Sequence, residues 1–263
     1  MRTAPPRPDS AAPFLYAAAL RRPVGDAAEY PYSLPAIREL GSLPFPGPVT
    51  FFVGENGSGK STLLEALAVG YGLNPEGGTK HVRFATRWSH SDLHTNLVLT
   101  KARLAPTDSY FLRAETFYNL ASVIERPEDW RAYDLEAFGG RSLHDQSHGE
   151  SFLALVLHRL RGNGLYFFDE PEAALSPARQ LALLAAMHQL VAKRSQFVIA
   201  THAPILLGYP GATIYLFGSH RPTPVAYRET EHYQVTKAFL DHPDRMLREL
   251  LRDDSPEPTE GAI

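Results

Sequence analysis

A chain of 263 residues with 44% hydrophobic and 21% charged side chains has the composition of a globular protein. Its 26 Lys and Arg against 29 Asp and Glu leave a net charge of -3, which excludes a globally basic nucleic-acid surface but leaves a local basic groove open. With no cysteine, the chain has no disulfides, thiolate metal sites or cysteine nucleophiles, in keeping with a cytoplasmic protein.

In chain order, the head MRTAPPRPDS is proline-rich and expected to be loose. The apolar stretch AAPFLYAAAL (11–20) falls short of the roughly twenty residues that span a bilayer. Its proline, the preceding Asp9 and the following Arg21 and Arg22 argue against a secretion signal, so a soluble protein is expected. Phe14 to Leu20 is expected as a first strand. PVTFFVG (48–54) predicts a buried strand that ends in glycine. Lys60 to Val69 predicts a helix with Leu63, Leu64, Leu67 and Ala68 on one side.

Residues 75 to 145 differ in texture. Short alternating pieces, HVRFAT and TNLVLT, precede the polar stretch ERPEDWRAYDLEAFGG, which predicts edge strands followed by helices. Helix SFLALVLHRL, strand LYFFDE, helix ARQLALLAAMHQLVAK and strands QFVIATH and TIYLFG then resume the core. Helices alternating with continuous apolar strands predict an α/β fold, a mostly parallel sheet covered on both faces. The tail DDSPEPTEGAI has little to bury and is expected to be disordered.

GENGSGKS (54–61) matches the phosphate-loop pattern G-x-x-x-x-G-K-[ST] between a predicted strand and a predicted helix. Gly54, Gly57 and Gly59 let the backbone turn tightly and aim its N–H groups at phosphate oxygens, beside a helix N-terminus of partial positive charge. Lys60 would reach the β- and γ-phosphates, and the Ser61 hydroxyl would ligate Mg²⁺. LYFFDE then sets Asp169 and Glu170 at a strand end. Asp169 fits a Mg²⁺ carboxylate, and Glu170 can polarise the attacking water as a general base. Ser176 and Pro177 suit the N-cap and first position of the next helix. His202 ends the strand QFVIATH, where beside the acidic strand end it could hydrogen-bond a γ-phosphate, or else serve packing or the surface. Ser147 and Glu150 have capping-box spacing before FLALVLHRL.

This order of motifs (GENGSGKS, QSHGE, YFFDEPEAALSP, ATH) resembles the ABC-type ATPase family, and within it the stand-alone bacterial ATPases related to SMC, RecF and overcoming-lysogenization-defect nucleases. The resemblance runs from about residue 14 to 235 and is strongest over 50–72 and 140–208. It implies a P-loop NTPase, an ABC-type head with antiparallel edge strands and a helical insert. One domain over 1–263 would then comprise a nucleotide core at about 14–80 and 151–235, an insert at about 81–150 and the tail 253–263. The Walker A loop would be Gly54, Glu55, Asn56, Gly57, Ser58, Gly59, Lys60, Ser61 and Thr62. Asp169 would be the Walker B carboxylate, Glu170 the catalytic base, His202 the switch histidine, and Ala174, Leu175 and Ser176 the D-loop.

Ser147, His148, Gly149 and Glu150 fall on the signature motif, with His148 where the family has glycine. The implied cofactors are ATP and Mg²⁺. The implied assembly is a homodimer with ATP between the chains, since Ser147, Gly149 and the D-loop have no evident chemical use in one chain. No glutamine lies between Ser61 and Gln146, so the family's Q-loop glutamine is missing. Glu115 is its candidate substitute as a metal-water ligand or sensor, or else an ordinary helix acid. Tyr30 and Tyr32 are candidates for adenine stacking or for core packing. His90 and His94 have metal-ligand spacing on one helical face, without a third ligand.

Three functions follow: a switch that drives an effector protein in DNA repair, phage defence or a toxin-like module; the ATP-binding subunit of a transporter; or a DNA-binding repair ATPase. For the last, Lys80, Arg83, Arg87, Lys101 and Arg103 form a basic strip or a solvated edge.

Overall fold

The computed structural model describes residues 14–25, 29–75, 77–78, 91–114 and 148–252. Strands β1 (Leu15–Leu20), β2 (Ser42–Pro44) and β4 (Leu97–Lys101) form an antiparallel sheet of 3 strands in the order β2-β1-β4. Strands β3 (Val49–Gly54), β5 (Asp108–Arg113), β6 (Gly164–Asp169), β7 (Gln196–Ala200), β8 (Thr213–Phe217) and β9 (Thr223–Pro224) form a second sheet. Its order is β5-β6-β7-β3-β8-β9, parallel throughout except for the last pair.

The helices are α1 (Pro35–Arg38), α2 (Lys60–Gly70), α3 (Leu93–Asn96), α4 (His148–Ala154), α5 (Pro177–Ala192), α6 (Pro204–Leu207), α7 (Glu231–Asp241) and α8 (Pro243–Leu250). Helix α4 widens into a π-helical turn at Leu155–Arg159. Among the described residues no helix is long and apolar enough to cross a membrane.

Side-chain alternation sorts the parallel sheet into two cores. Phe51, Phe168, Phe197 and Ile199 point to a face covered by α4, α5 and α6 through Phe152, Leu183, Met187 and Leu206. Phe52, Phe167, Val198 and Ala200 point to the other, covered by α2 and the antiparallel sheet through Leu63, Leu67, Leu15 and Ala18. Both faces are dry, so the strands read as unbroken apolar runs. Each buried Phe or Leu contributes about 1.5–3 kcal/mol.

One polar residue ties the two sheets together. Gln196 is 1% exposed. Its Oε1 accepts from the Phe14 and Leu15 N–H groups at 2.6 and 2.9 Å, and its Nε2 donates to the Leu15 carbonyl at 2.9 Å. The Tyr215 hydroxyl adds a second tie, donating to the Pro44 carbonyl at 2.7 Å.

The predicted parallel core is present, and the antiparallel strands stand beside it. The stretch 115–147, with the expected helical insert, lies outside the described residues, as does the tail 253–263. Helices α7 and α8 answer to no sequence expectation.

Candidate functional site

Parallel pairing brings three chain segments to one edge. Asp169 pairs with Ala200, Phe52 pairs with Ala200, and β7 lies between β3 and β6. The loop after Gly54, the carboxylates at 169 and 170, and Thr201-His202 therefore leave the carboxyl ends of adjacent strands, where open α/β sheets bind ligands. The Glu170 N–H donates to the Ala200 carbonyl at 2.9 Å and the Thr201 N–H to the Phe52 carbonyl at 3.1 Å, which holds the three segments in register.

The phosphate loop owes its path to glycine. Gly54 has φ 146°, and a Cβ there would lie 2.2 Å from the Phe217 carbonyl oxygen. Gly59, at φ 99°, precedes Lys60, the first residue of α2. The Lys60 ammonium is 4% exposed and donates to the carbonyls of Gly54 (2.8 Å) and Glu55 (2.7 Å). Burial pushes it below the ordinary lysine value, while Glu170, Asp169 and Glu172 pull it back up. The buried Ser58 hydroxyl has no partner among the described residues. The Thr62 hydroxyl lies 3.1 Å from that of Tyr30, which is 63% exposed. Tyr30 thus presents a free ring beside the loop, whereas Tyr32 packs against the second core.

The Ser61 hydroxyl donates to Asp169 Oδ1 at 2.8 Å. Two hard oxygen donors this close suit Mg²⁺, which takes one or two protein oxygens and completes its shell with phosphates and water. Among the described residues no group of three or more His, Asp or Glu side chains is set to hold a metal by itself. The Arg113 guanidinium, at the end of β5, lies 3.6 Å from Asp169 Oδ2 and 2.7 Å from Glu65 Oε2.

Glu170 adopts the left-handed backbone region (φ 48°, ψ 52°), which is strained for a non-glycine residue. Its Oε1 stands 3.7 Å from His202 Nε2. The His202 N–H donates to Glu172 Oε1 at 2.5 Å, and Glu172 Oε2 is buried without a partner among the described residues. Burial raises the Glu172 carboxyl above its ordinary value. His202 Nδ1 lies 2.9 Å from Nε2 of His232, in the first turn of α7. A cleft of about 520 Å³ opens between the phosphate loop and α7, lined by Glu55, Asn56, Glu170, His202, Glu231 and His232.

Ala174 closes the 3₁₀ turn Pro171–Ala174, Leu175 is buried, and Ser176 takes the N-cap position of α5 without a side-chain capping bond. Gly149 is packed within its own chain. A Cβ there would lie 2.6 Å from the Ala174 carbonyl oxygen and 2.7 Å from Arg179 Nη1. Glu150 pairs with Arg179 at 3.1 Å. Gly149 therefore has a packing role in its own chain, beside any chemical role between chains. Close contact between α4 and the turn after β6 requires glycine on its own account.

Ser147, Glu115, His90, Lys80, Arg83 and Arg87 lie outside the described residues, as does the side chain of His148. Lys101 donates to the Gly70 carbonyl at 3.0 Å and covers the Tyr71 ring at 4.4 Å, an intramolecular use for one residue of the basic strip. Arg103 is exposed, and the His94 ring lies 3.4 Å from the Ser91 carbonyl. Sequence reasoning missed Arg113, Glu172 and His232. The Arg113–Asp169 pairing offered one signal, since an arginine closes the aromatic strand where the Q-loop is expected; His232 offers none.

Residues 36–103 match a family described as "AAA domain", and residues 133–208 match one described as "AAA domain, putative AbiEii toxin, Type IV TA system". The first span holds the phosphate loop, the second the carboxylates and His202. The nucleoside import ATP-binding protein NupA of Lactococcus lactis subsp. cremoris is 27% identical over 175 residues, covering 59% of this chain. The match spans only 33% of that relative's length. A structure described as a metal-chelate type ABC transporter in an inward-facing conformation is 15% identical, with a TM-score of 0.47, over 86% of this chain and 88% of that one. The SMC head domain from Thermotoga maritima is 14% identical, with a TM-score of 0.44, over 81% of this chain and 99% of that one. The phosphate loop, the carboxylates and His202 thus lie on a mostly parallel sheet, within two stretches that are similar to AAA domains, the arrangement of a P-loop nucleotide-binding fold.

Proposed function

We propose that the chain binds Mg-ATP and hydrolyses it in a single ABC-type ATPase domain that works as a dimeric switch for an effector protein. The observation that carries this reading is the convergence of Ser61, Asp169, Glu170 and His202 at three adjacent strand ends, with Ser61 Oγ 2.8 Å from Asp169 Oδ1.

In this reading, residues 54 to 62 wrap the phosphates with backbone N–H groups, and the Lys60 ammonium exchanges loop carbonyls for phosphate oxygens. Ser61 and Asp169 would hold Mg²⁺, which when bound would supply positive charge against the phosphates. Glu170, half-exposed beside the cleft, accepts a proton from the attacking water. His202 donates Nε2–H to the γ-phosphate. Ser147, Gly149 and the turn at 174–176 meet the ATP of a second chain, which makes the dimer ATP-dependent.

The AAA family whose description names an AbiEii toxin of a Type IV TA system supports a toxin-type module. The importer relative favours a second reading, a transporter subunit. The missing glutamine between Ser61 and Gln146 speaks against it. The test is phosphate release from Mg-ATP by the wild-type chain and by Lys60→Ala. We expect turnover in the first and its loss in the second. Undiminished release by Lys60→Ala would sink the site assignment.

A further inference from the structure

His232 lies in the C-terminal helix α7, beyond the stretches 36–103 and 133–208 that match AAA families. Its Nε2 is nonetheless 2.9 Å from Nδ1 of His202. A contact this short between two ring nitrogens needs one proton between them, so one ring donates and the other accepts.

The far side of His202 decides which. His202 Nε2 is buried, finds no hydrogen-bond partner among the described residues, and faces Glu170 Oε1 at 3.7 Å. A bare nitrogen lone pair beside a carboxylate is repelled, whereas an N–H is attracted. His202 therefore carries its proton on Nε2, and its bare Nδ1 accepts from His232 Nε2–H. The opposite tautomer would leave His202 with no proton to offer a phosphate oxygen. The main chain is fixed separately, because Glu172 Oε1 accepts the His202 N–H at 2.5 Å. His232 thus governs the ring and Glu172 the backbone. Thr230, 1% exposed, sets the start of α7 by accepting the Tyr233 N–H at 3.3 Å, so the position of His232 follows from how that helix is capped.

We propose that His232 is a positioning residue for ATP turnover, which donates from α7 to His202 Nδ1 and so keeps the His202 Nε2 proton directed into the cleft. The proposal rests on the ATPase reading of this site. It also makes turnover depend on the seating of the C-terminal helices, since displacing α7 releases the tautomer.

The test uses the full chain with ¹⁵N-labelled histidine, together with His232→Leu and His232→Gln. In the wild type, long-range ¹H–¹⁵N spectra should find His202 protonated at Nε2 and bare at Nδ1. His232→Leu should lower kcat on the order of 10-fold or more while KM for ATP stays within about twofold, the pattern of a lost outer-shell partner. His232→Gln, whose amide N–H can replace the donor, should recover most of kcat. A wild-type His202 protonated at Nδ1 overturns the proposal. So does His232→Leu turning over like the wild type, or His232→Gln failing as badly as His232→Leu. No phosphate release by the wild type would instead overturn the ATPase reading itself.

Discussion

Asp169 gathers the chemistry of the site at one side chain. The Ser61 hydroxyl sits on one oxygen at 2.8 Å and the Arg113 guanidinium faces the other at 3.6 Å. One strand-end residue further on, Glu170 faces the cleft beside His202, so neighbouring carboxylates divide into a buried metal-ligand candidate and an open base candidate. The imidazoles set the pH range. Burial, then Lys60, lowers the pKa of His202, against Glu170; burial, then His202 itself, lowers that of His232, with Lys60 acting alike and Glu231 and Glu172 opposing. Because both titrate below the ordinary value of 6.5, the hydrogen-bonded neutral pair persists at that pH and is lost only lower, when a second proton makes both facing nitrogens donors. A pH–rate profile should therefore keep its acid limb below 6.5; a limb centred above that value would contradict the depressed pair. The residues carrying a motif, Gly54 to Thr62 and Asp169-Glu170, were legible from type and spacing. His232 was not, because its partner lies 30 positions away and only the fold joins them.

At the scale of elements, legibility followed burial. Strands β3, β6 and β7 are buried at every position, so continuous apolar runs marked them. Helices α7 and α8 escaped because neither buries a residue, and Val235, Leu240 and Leu250 stand exposed on them, so burial left no mark on their sequence. Gly149 shows a different limit: its likeness to a signature glycine was readable, its contact with the Ala174 carbonyl was not. Gln196 looked like the first residue of a strand, yet it bonds three backbone groups of β1 and its approach. Gln196→Leu should leave the Phe14 and Leu15 N–H groups buried and unpaired, lowering stability by about 1–3 kcal/mol in urea unfolding. A change within a few tenths would show that the Gln196 bonds add nothing to the apolar packing and the Tyr215 bond that join the two sheets.

The parallel sheet ends, at its middle strands, in the parts of one candidate nucleotide site, with an antiparallel sheet on one face and helix α7 beside the cleft. The cleft opens between the phosphate loop and α7, and in the proposed dimer a second chain would meet bound nucleotide there, with α7 linked to it through His232 and His202. In the proposed switch, ATP binding, dimer closure and the seating of α7 would form one coupled equilibrium, released when hydrolysis removes the γ-phosphate. The most direct measurement is the molar mass of Glu170→Gln in solution, by light scattering after size exclusion, with and without saturating Mg-ATP. Glu170→Gln should still bind ATP, stop releasing phosphate and shift to twice the chain mass only when ATP is present. A variant that binds Mg-ATP and stays at the mass of one chain would contradict the proposed dimeric switch.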